Sequence, residues 1–426
     1  MRSDKLHSWL GARAKRWLEA PLFSLITRRS QKGQPERPLL SVYRDYGVIL
    51  KSDRDDNHNK PGSDLAEYRV VEPGDLVLNK MKTWQGSLGV SDLRGIVSPA
   101  YIVCRVTGPV EGRFLHHQLR SYPWIQHYAS CSYGVRPDQW DLHFEDLRRT
   151  PVFLPQREEQ RRVADHLDRK TAAIDDLIRK KERLIELLQE KRQALITQTV
   201  TKGLDPTVPM KDSGIGWLGQ IPSGWQVKRL KHLSPQLSGR LVVSPDRFFA
   251  DEGVPVVFGN NIHPGAITGN LRRITAEADE HHARCRVRAG DLLTVRVGDP
   301  GTTAVVPEWL DGCHFASAML IRKHRRFLSA WLCHVMNSDI IQRQIDLVNY
   351  GAAQKQFNIS DAVNFFVPTP PIDKQEQLAR FLDEQAKTLF LQVERIEKSL
   401  VLLREYRQAL ITAAVTGQLD IPAEAA

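Results

Sequence analysis

The chain has 426 residues, with 60 Lys and Arg against 50 Asp and Glu, a formal charge of +10 and an isoelectric point near 9.4. That length exceeds one ordinary domain, and 41% hydrophobic residues with 26% charged ones exclude a largely disordered chain. The charge favours a polyanionic partner, nucleic acid before an acidic membrane, and no apolar run approaches the roughly 20 residues a spanning helix needs.

The five cysteines, Cys104, Cys131, Cys285, Cys313 and Cys333, are odd in number and never spaced as C-x-x-C. They indicate neither a disulfide framework nor a zinc ribbon, and a reducing cytoplasm is expected. At the N-terminus Leu6, Trp9, Leu10, Ala14 and Trp17 recur at helical spacing among basic residues, without the apolar core and cleavage site of a secretory signal. Two readings follow: a helix on a membrane surface, or one packed on the first domain, which is the expectation here.

From there to residue 150 short apolar runs such as Asp75-Leu-Val-Leu78 and Tyr101-Ile-Val-Cys104 read as strands of a mixed domain. Glu72-Pro-Gly-Asp75 with Lys80 resembles a nuclease carboxylate–lysine set but reads more simply as turn chemistry. Lys80, Lys82, Trp84 and Gln85 form a basic and aromatic stretch after a strand, and Arg136, Gln139 and Trp140 sit behind Tyr133-Gly134. Phosphates are held by Lys and Arg and base edges are read by Arg, Lys, Asn or Gln, so these are the first candidates for nucleic-acid contact; the plain reading of any one is a solvated surface residue.

Pro151 and Pro155 then announce a segment from about 157 to 199 with no Pro or Gly and many good helix formers. Leu167, Ile174, Leu188 and Leu195, with Ala164, Ile178 and Ile185, follow a seven-residue period interrupted by Thr171, Lys181 and Arg192. Breakers from Gly203 through Gly216 make a connector at about 203 to 223. Its Gly214-Ile-Gly216-Trp-Leu-Gly219 spells a dinucleotide fingerprint but follows no strand and is closed by Pro222, so it is a chance match.

The second half repeats the plan, with strands at Asp291-Leu-Leu-Thr-Val295 and Ala318-Met-Leu-Ile321. Its candidate contacts are Asn260, Asn261, Arg296, Lys355 and Gln356, matching those of the first half, and the basic run Arg322-Lys323-His324-Arg325-Arg326. Trp140 and Phe357 also admit a reading as core anchors. The pair His281-His282 reads as surface, not metal. After Pro368, Pro370 and Pro371 a second helix carries Leu382, Leu389, Ile396, Leu403 and Leu410 at one heptad position and Ala379, Ala386, Val393 and Leu400 three residues earlier. Helices of this length project far beyond one globular core, so each seam is expected to pair with the other copy.

The repeat is explicit. Arg192-Gln-Ala-Leu-Ile-Thr197 returns as Arg407-Gln-Ala-Leu-Ile-Thr412, and Pro155, Gln160, Ala164 and Leu167-Asp168 match Pro370, Gln375, Ala379 and Leu382-Asp383 at the same offset of 215. Gly74-Asp75-Leu76 matches Gly290-Asp291-Leu292, Tyr133-Gly134 matches Tyr350-Gly351 and Gln139-Trp140 matches Gln356-Phe357, at offsets of 216 and 217. The expected architecture is α+β: two pseudo-repeated globular domains at 1–150 and 211–366, and two long helices at 151–210 and 367–426 forming an antiparallel coiled coil.

The stretch Asp212-Ser-Gly-Ile-Gly-Trp-Leu-Gly-Gln-Ile-Pro-Ser-Gly-Trp225, with Val227-Lys-Arg-Leu230, resembles the opening of a target-recognition domain in specificity subunits of type I restriction-modification enzymes. So do Leu154-Pro-Gln-Arg-Glu-Glu-Gln160 and Pro371-Ile-Asp-Lys-Gln-Glu-Gln377, where such domains pass into their helices. The resemblance covers essentially the whole chain and is weakest before residue 70, where only Trp17 to Pro21 stand near the missing Ile-Pro-x-x-Trp opening. It implies a non-catalytic subunit whose two domains read the halves of a split site in double-stranded DNA, the helices setting the spacing and docking two methyltransferase subunits. Two restriction subunits join where a nuclease accompanies the complex. No cofactor is implied for this chain; S-adenosylmethionine, ATP and magnesium belong to the partner subunits. Because the two domains differ, the implied target is asymmetric. The rival reading is a coiled-coil scaffold with no role on DNA, which leaves the duplicated domains and the +10 charge unexplained.

Overall fold

A computed structural model describes residues 4–54, 64–134, 140–238, 248–348 and 355–422. The chain forms two compact units, residues 1–182 with 397–426, and residues 183–396. Each unit therefore joins one globular domain to part of both long helices, a division that cuts across contiguous domain and spacer segments.

In the first unit the central sheet is antiparallel, in the order Ile26–Arg28, Tyr101–Val106, Asp75–Asn79, Leu88–Val90. Its middle strands are apolar at consecutive positions because both faces are covered. Leu76, Leu78, Ile102 and Cys104 pack against the helices Gly112–Leu119 and Tyr122–Cys131, through Phe114, Leu115, Trp124 and Tyr128. Val77 and Val103 point the other way, onto Leu40, Val42, Val71 and Val97 from two small strand pairs.

The second unit repeats this. Its sheet runs Leu237–Ser238, Ala318–Ile321, Leu292–Val295, Thr303–Val305. Leu292, Met319 and Ile321 meet the helical layer, with Trp331 and Ile341 from Ser329–Met336 and Asp339–Val348, while Leu293, Val295 and Leu320 form the core of the opposite face.

The residues that repeat are those that hold the plan. Gly74 and Gly290 take φ of 88° and 85°, the left-handed region a side chain disfavours, and turn the chain into the strand that follows. Behind each glycine a buried aspartate closes the turn: Asp75 accepts from the Glu72 amide (2.9 Å) and pairs with Arg29 (2.8 Å), and Asp291 accepts from the Arg288 amide (2.9 Å) and pairs with Arg322 (2.7 Å). Glu72 in turn pairs with Arg37 and Arg94, and Lys80 with Asp141, so the carboxylate–lysine set does not assemble.

The start of the first domain, blurred in the sequence, is set by strand pairing. Leu18–Pro21 pairs with Pro151–Leu154 as Gln226–Arg229 pairs with Phe366–Thr369, so Trp17 occupies the place of Trp225. Upstream, the expected single helix is reduced to Asp4–His7 and a 3-10 turn at Ala14–Arg16, yet Leu6, Leu10 and Ala14 are buried in the first core, as the packed reading required.

The long helices run over Arg157–Lys202 and Ile372–Val415. Within the first unit Asp175 pairs with Arg407 (2.8 Å) and Glu182 with Arg404 (2.8 Å), one helix number rising as the other falls, which is antiparallel pairing. Within the second unit Leu195, Ile196 and Val200 of one helix share a core with Leu378, Ala379 and Leu382 of the other. Leu167, Ile174, Leu382 and Leu389 are buried, and Ile178, Leu188, Leu195, Val393, Ile396, Leu403 and Leu410 are half-buried, so no predicted seam position is exposed.

Each helix is anchored by the repeated glutamine. Gln160 accepts from the Glu111 amide (2.7 Å) and donates to the Pro155 carbonyl (2.8 Å); Gln375 accepts from the Leu328 amide (2.8 Å) and donates to the Pro370 carbonyl (2.9 Å). Both are at most 1% exposed. Replacing Gln375 by Leu strands a buried amide and will lower unfolding stability by about 1–3 kcal/mol, whereas Gln377→Leu on the exposed face will stay within about 0.5 kcal/mol, both read by chemical denaturation.

Candidate nucleic-acid interface

In the first unit the strand Asp75–Asn79 delivers the chain into an exposed turn, Lys80 to Lys82, followed by a short 3-10 turn at Thr83–Gln85. Thr83 is buried and its hydroxyl donates to the Asn79 carbonyl (2.7 Å), so the turn is rigid beneath an exposed surface. Trp84 donates its indole N–H to the Met81 carbonyl (3.1 Å) and lies against Trp140, ring centroids 5.5 Å apart and planes at 58°. The Lys80 ammonium reaches Asp141 at 3.3 Å, and the Leu142 amide donates to the Lys80 carbonyl (3.0 Å).

The two stretches singled out in the sequence are thus brought together. Lys82 and Gln85 stand exposed, without a side-chain partner among the described residues. Arg136 and Gln139 lie outside the described residues. Beside this turn is a feature that sequence reasoning passed over: Tyr133, 56% exposed, stacks on His143 with centroids 4.6 Å apart and planes at 9°. The repeated Tyr-Gly pair marked the position, but only as a point of alignment. An exposed aromatic face beside cations is the chemistry that contacts bases and sugars.

The second unit builds the equivalent end of its sheet differently. Arg296 directly follows Leu292–Val295; its Nε donates to the Phe357 carbonyl (3.4 Å), and Val297 bridges to Gln356. Lys355 is exposed and pairs loosely with Asp346 (3.6 Å). A side chain at Gly259 would meet Val295 at 3.5 Å, so the turn Gly259–Asn261 abuts the same strand end and presents the exposed Asn260 there. Asn261 faces inward: it is 5% exposed, accepts from the Phe258 amide (3.0 Å) and donates to the Thr268 carbonyl (3.3 Å), which engages its amide in holding the turn.

Three further predicted residues sit elsewhere. Ile321 pairs with Leu292, and Ala318 with Val295, so the basic run after Ile321 lies at the opposite end of the strand from Arg296. Within that run Arg322 is fixed to Asp291 (2.7 Å) and to the Arg286 carbonyl (2.7 Å), while Lys323 and Arg325 remain exposed. Arg296, Lys355, Gln356 and Asn260 therefore gather at one end of the sheet, and Arg322, Lys323 and Arg325 at the other. Phe357 is fully buried in the core, whereas Trp140 is half-exposed against Trp84.

Among the described residues no helix is long and apolar enough to cross a membrane, and no three His, Cys, Asp or Glu side chains gather as a metal site; His281 and His282 are ring neighbours only (4.9 Å).

No family model matches the chain. Among curated proteins it is 26% identical over 375 residues to the type I restriction enzyme EcoBI specificity subunit of Escherichia coli, covering 83% of this chain and 76% of that one. It is 21% identical over 439 residues to the StySPI specificity subunit of Salmonella potsdam, covering 95% of this chain and 89% of the other. Among solved structures it superposes on a chain of a type I restriction-modification system, from work on complex assembly and conformational transition, with a TM-score of 0.71 and 18% identity over 95% of this chain and 98% of that one. The HsdS subunit from Thermoanaerobacter tengcongensis gives a TM-score of 0.50 at 17% identity, over 95% of this chain and 97% of that one. The curated relatives are type I specificity subunits, as the sequence resemblance implied, and the structural likeness carries the α+β fold with its two long packed helices.

Proposed function

We propose that this chain, a homologue of the type I restriction enzyme specificity subunits, is the DNA-reading subunit of such a complex and catalyses nothing itself. The observation that carries this reading is the duplication: one fold built twice, with different side chains at the same sheet end. Lys82, Gln85, Trp84 and Tyr133 stand there in the first unit and Arg296, Lys355 and Asn260 in the second. Each domain then reads one half of an asymmetric, split target, and the paired helices fix the distance between halves.

Exposed Leu177, Leu184 and Leu187 on one helix and Phe390, Val401 and Leu402 on the other are apolar side chains that a helix pair alone leaves in water. They suit the docking of two methyltransferase subunits, which bring S-adenosylmethionine, with restriction subunits contributing ATP and magnesium chemistry where present. The complex works in the cytoplasm, where the host DNA lies.

The test is co-expression with a partner methyltransferase subunit in a host lacking other adenine methylation, followed by methylome sequencing. One split, asymmetric motif is expected. A genome without any new motif would return the chain to the scaffold reading.

A further inference from the structure

The two copies of the helix motif Arg-Gln-Ala-Leu-Ile-Thr do different things. In the second unit Gln193 donates to Asp339 Oδ1 (2.7 Å) and to the Asn337 carbonyl (3.2 Å), and the Thr197 hydroxyl donates to Asp339 Oδ2 (3.2 Å). The motif there holds a carboxylate at the start of the helix Asp339–Val348. In the first unit Gln408 and Thr412 repeat those two side chains, yet the residue in the place of Asp339 is Tyr122, which begins the helix Tyr122–Cys131 and is 45% exposed. Gln408 Nε2 and Thr412 Oγ1 are buried with no hydrogen-bond partner among the described residues. A buried unmet donor costs free energy unless a ligand or water meets it.

A second replacement reverses the charge balance at the same place. Asn337, the residue after Ser329–Met336, is neutral; its counterpart after Gly112–Leu119 is Arg120. The Arg120 guanidinium donates to the carbonyls of Leu88 (2.7 Å), Arg44 (2.7 Å) and Tyr43 (3.3 Å), and no carboxylate touches it among the described residues. Burial, then the nearby Arg407 charge, lowers its pKa to about 10 against the opposing pull of the Asp45 carboxylate, which leaves it a cation at neutral pH. Arg407 already has a carboxylate, Asp175 (2.8 Å). Relative to the second unit this place has lost an anion and gained a cation.

Beside Arg120 and Gln408 lies a cavity of about 750 Å³, whose wall also carries Arg44, Arg179, Arg404 and Arg407 and the carboxylates Asp45, Asp175 and Glu182. That volume falls within the range of small-ligand sites. We propose that this cavity in the first unit is a binding site for a small phosphate-type oxyanion, beside the place that corresponds to the Asp339 carboxylate of the second. Gln408 donates to it, and five lining arginines against three carboxylates leave the wall net positive, Arg120 being the arginine with no carboxylate in direct contact among the described residues. Guanidinium groups in a fixed fork favour multivalent oxyanions over chloride.

The test is calorimetric titration of the full-length chain with pyrophosphate at constant ionic strength, with citrate and sodium chloride as parallel arms. One saturable site for pyrophosphate, and none for chloride, is expected. Binding of citrate in preference to pyrophosphate would overturn the phosphate assignment. Arg120→Asn, which installs the residue of the second unit, will weaken binding about 10- to 100-fold, the loss of one charged hydrogen bond. Tyr122→Asp, at an exposed position that tolerates a polar side chain, will give Gln408 and Thr412 the carboxylate that Asp339 provides in the second unit, weaken pyrophosphate binding and raise the melting temperature. Equal responses in the wild type and both variants would mean diffuse attraction to a basic surface and overturn the proposal. So would displacement of pyrophosphate by a saturating DNA duplex, which would make the cavity a contact for DNA phosphate; unchanged pyrophosphate affinity on the duplex-bound chain supports a separate small-ligand site.

Discussion

Replacing residues 18–150 by the corresponding domain of a relative with a different target will change one half of the methylated motif and leave the other half as it was. The boundaries follow from the fold. Leu18–Pro21 and Pro151–Leu154 are partners in one antiparallel pair, so the ends of the exchanged segment lie side by side and the new domain closes onto the same helix start. The domain cores permit it, because the apolar cluster that holds Trp124 and Phe114 shares no residue with the one that holds Trp331 and Phe357. Gln160 must stay, since its side chain ties the helix to the domain through the amide of Glu111 and the carbonyl of Pro155. The effect is large because each mismatched base pair costs about 1–3 kcal/mol, so the old half-site loses occupancy by orders of magnitude. Methylome sequencing of the exchanged chain reads both halves at once. A change in both halves would refute independent reading by the two domains, and an unchanged motif would place recognition outside residues 18–150.

Much of this arrangement was visible in the sequence, for identifiable reasons. The seam of the long helices follows a seven-residue period, a local signal, and every predicted seam position is at least half-buried. The repeated Gln160 and Gln375, and the repeated Gly-Asp-Leu, return because the same backbone groups need the same partners in both units. What stayed hidden depends on long-range pairing. Leu18–Pro21 is a short strand exposed along most of its length, so it shows no alternation, and only its pairing with residues 151–154 reveals it as the domain's first strand. Asn260 and Asn261 are the same residue type, and the difference between a surface amide and one folded into its own turn appears only in three dimensions. The run from Arg322 to Arg326 stood out among the candidate contacts because its charge density is local. The register that pairs Ile321 with Leu292 puts it at the far end of the strand from Arg296.

Phe357→Ala and Trp140→Ala, which occupy corresponding places in the two repeats, will separate stability from reading. Phe357 is fully buried, lies 5.8 Å from Phe365 and shares a core with Trp331 and Leu332. Its truncation opens a cavity that the surrounding strands and helices cannot fill, at a cost of about 3–5 kcal/mol. That is a large part of the stability of an ordinary domain. Trp140 is half-exposed and its main neighbour is Trp84. Losing that ring pair and part of one apolar face costs about 1–2 kcal/mol. The cost to recognition runs the other way. Without Trp140 the Trp84 ring loses its support and the turn bearing Lys82 and Gln85 is less rigidly presented, so affinity for the cognate duplex should fall about 10-fold, as for the loss of one good base contact. Thermal unfolding gives the first quantity and competition binding with cognate and unrelated duplexes the second. If Trp140→Ala proves as destabilising as Phe357→Ala while leaving discrimination between duplexes intact, the aromatic pair is core in both units and the reading surface of the first must lie elsewhere.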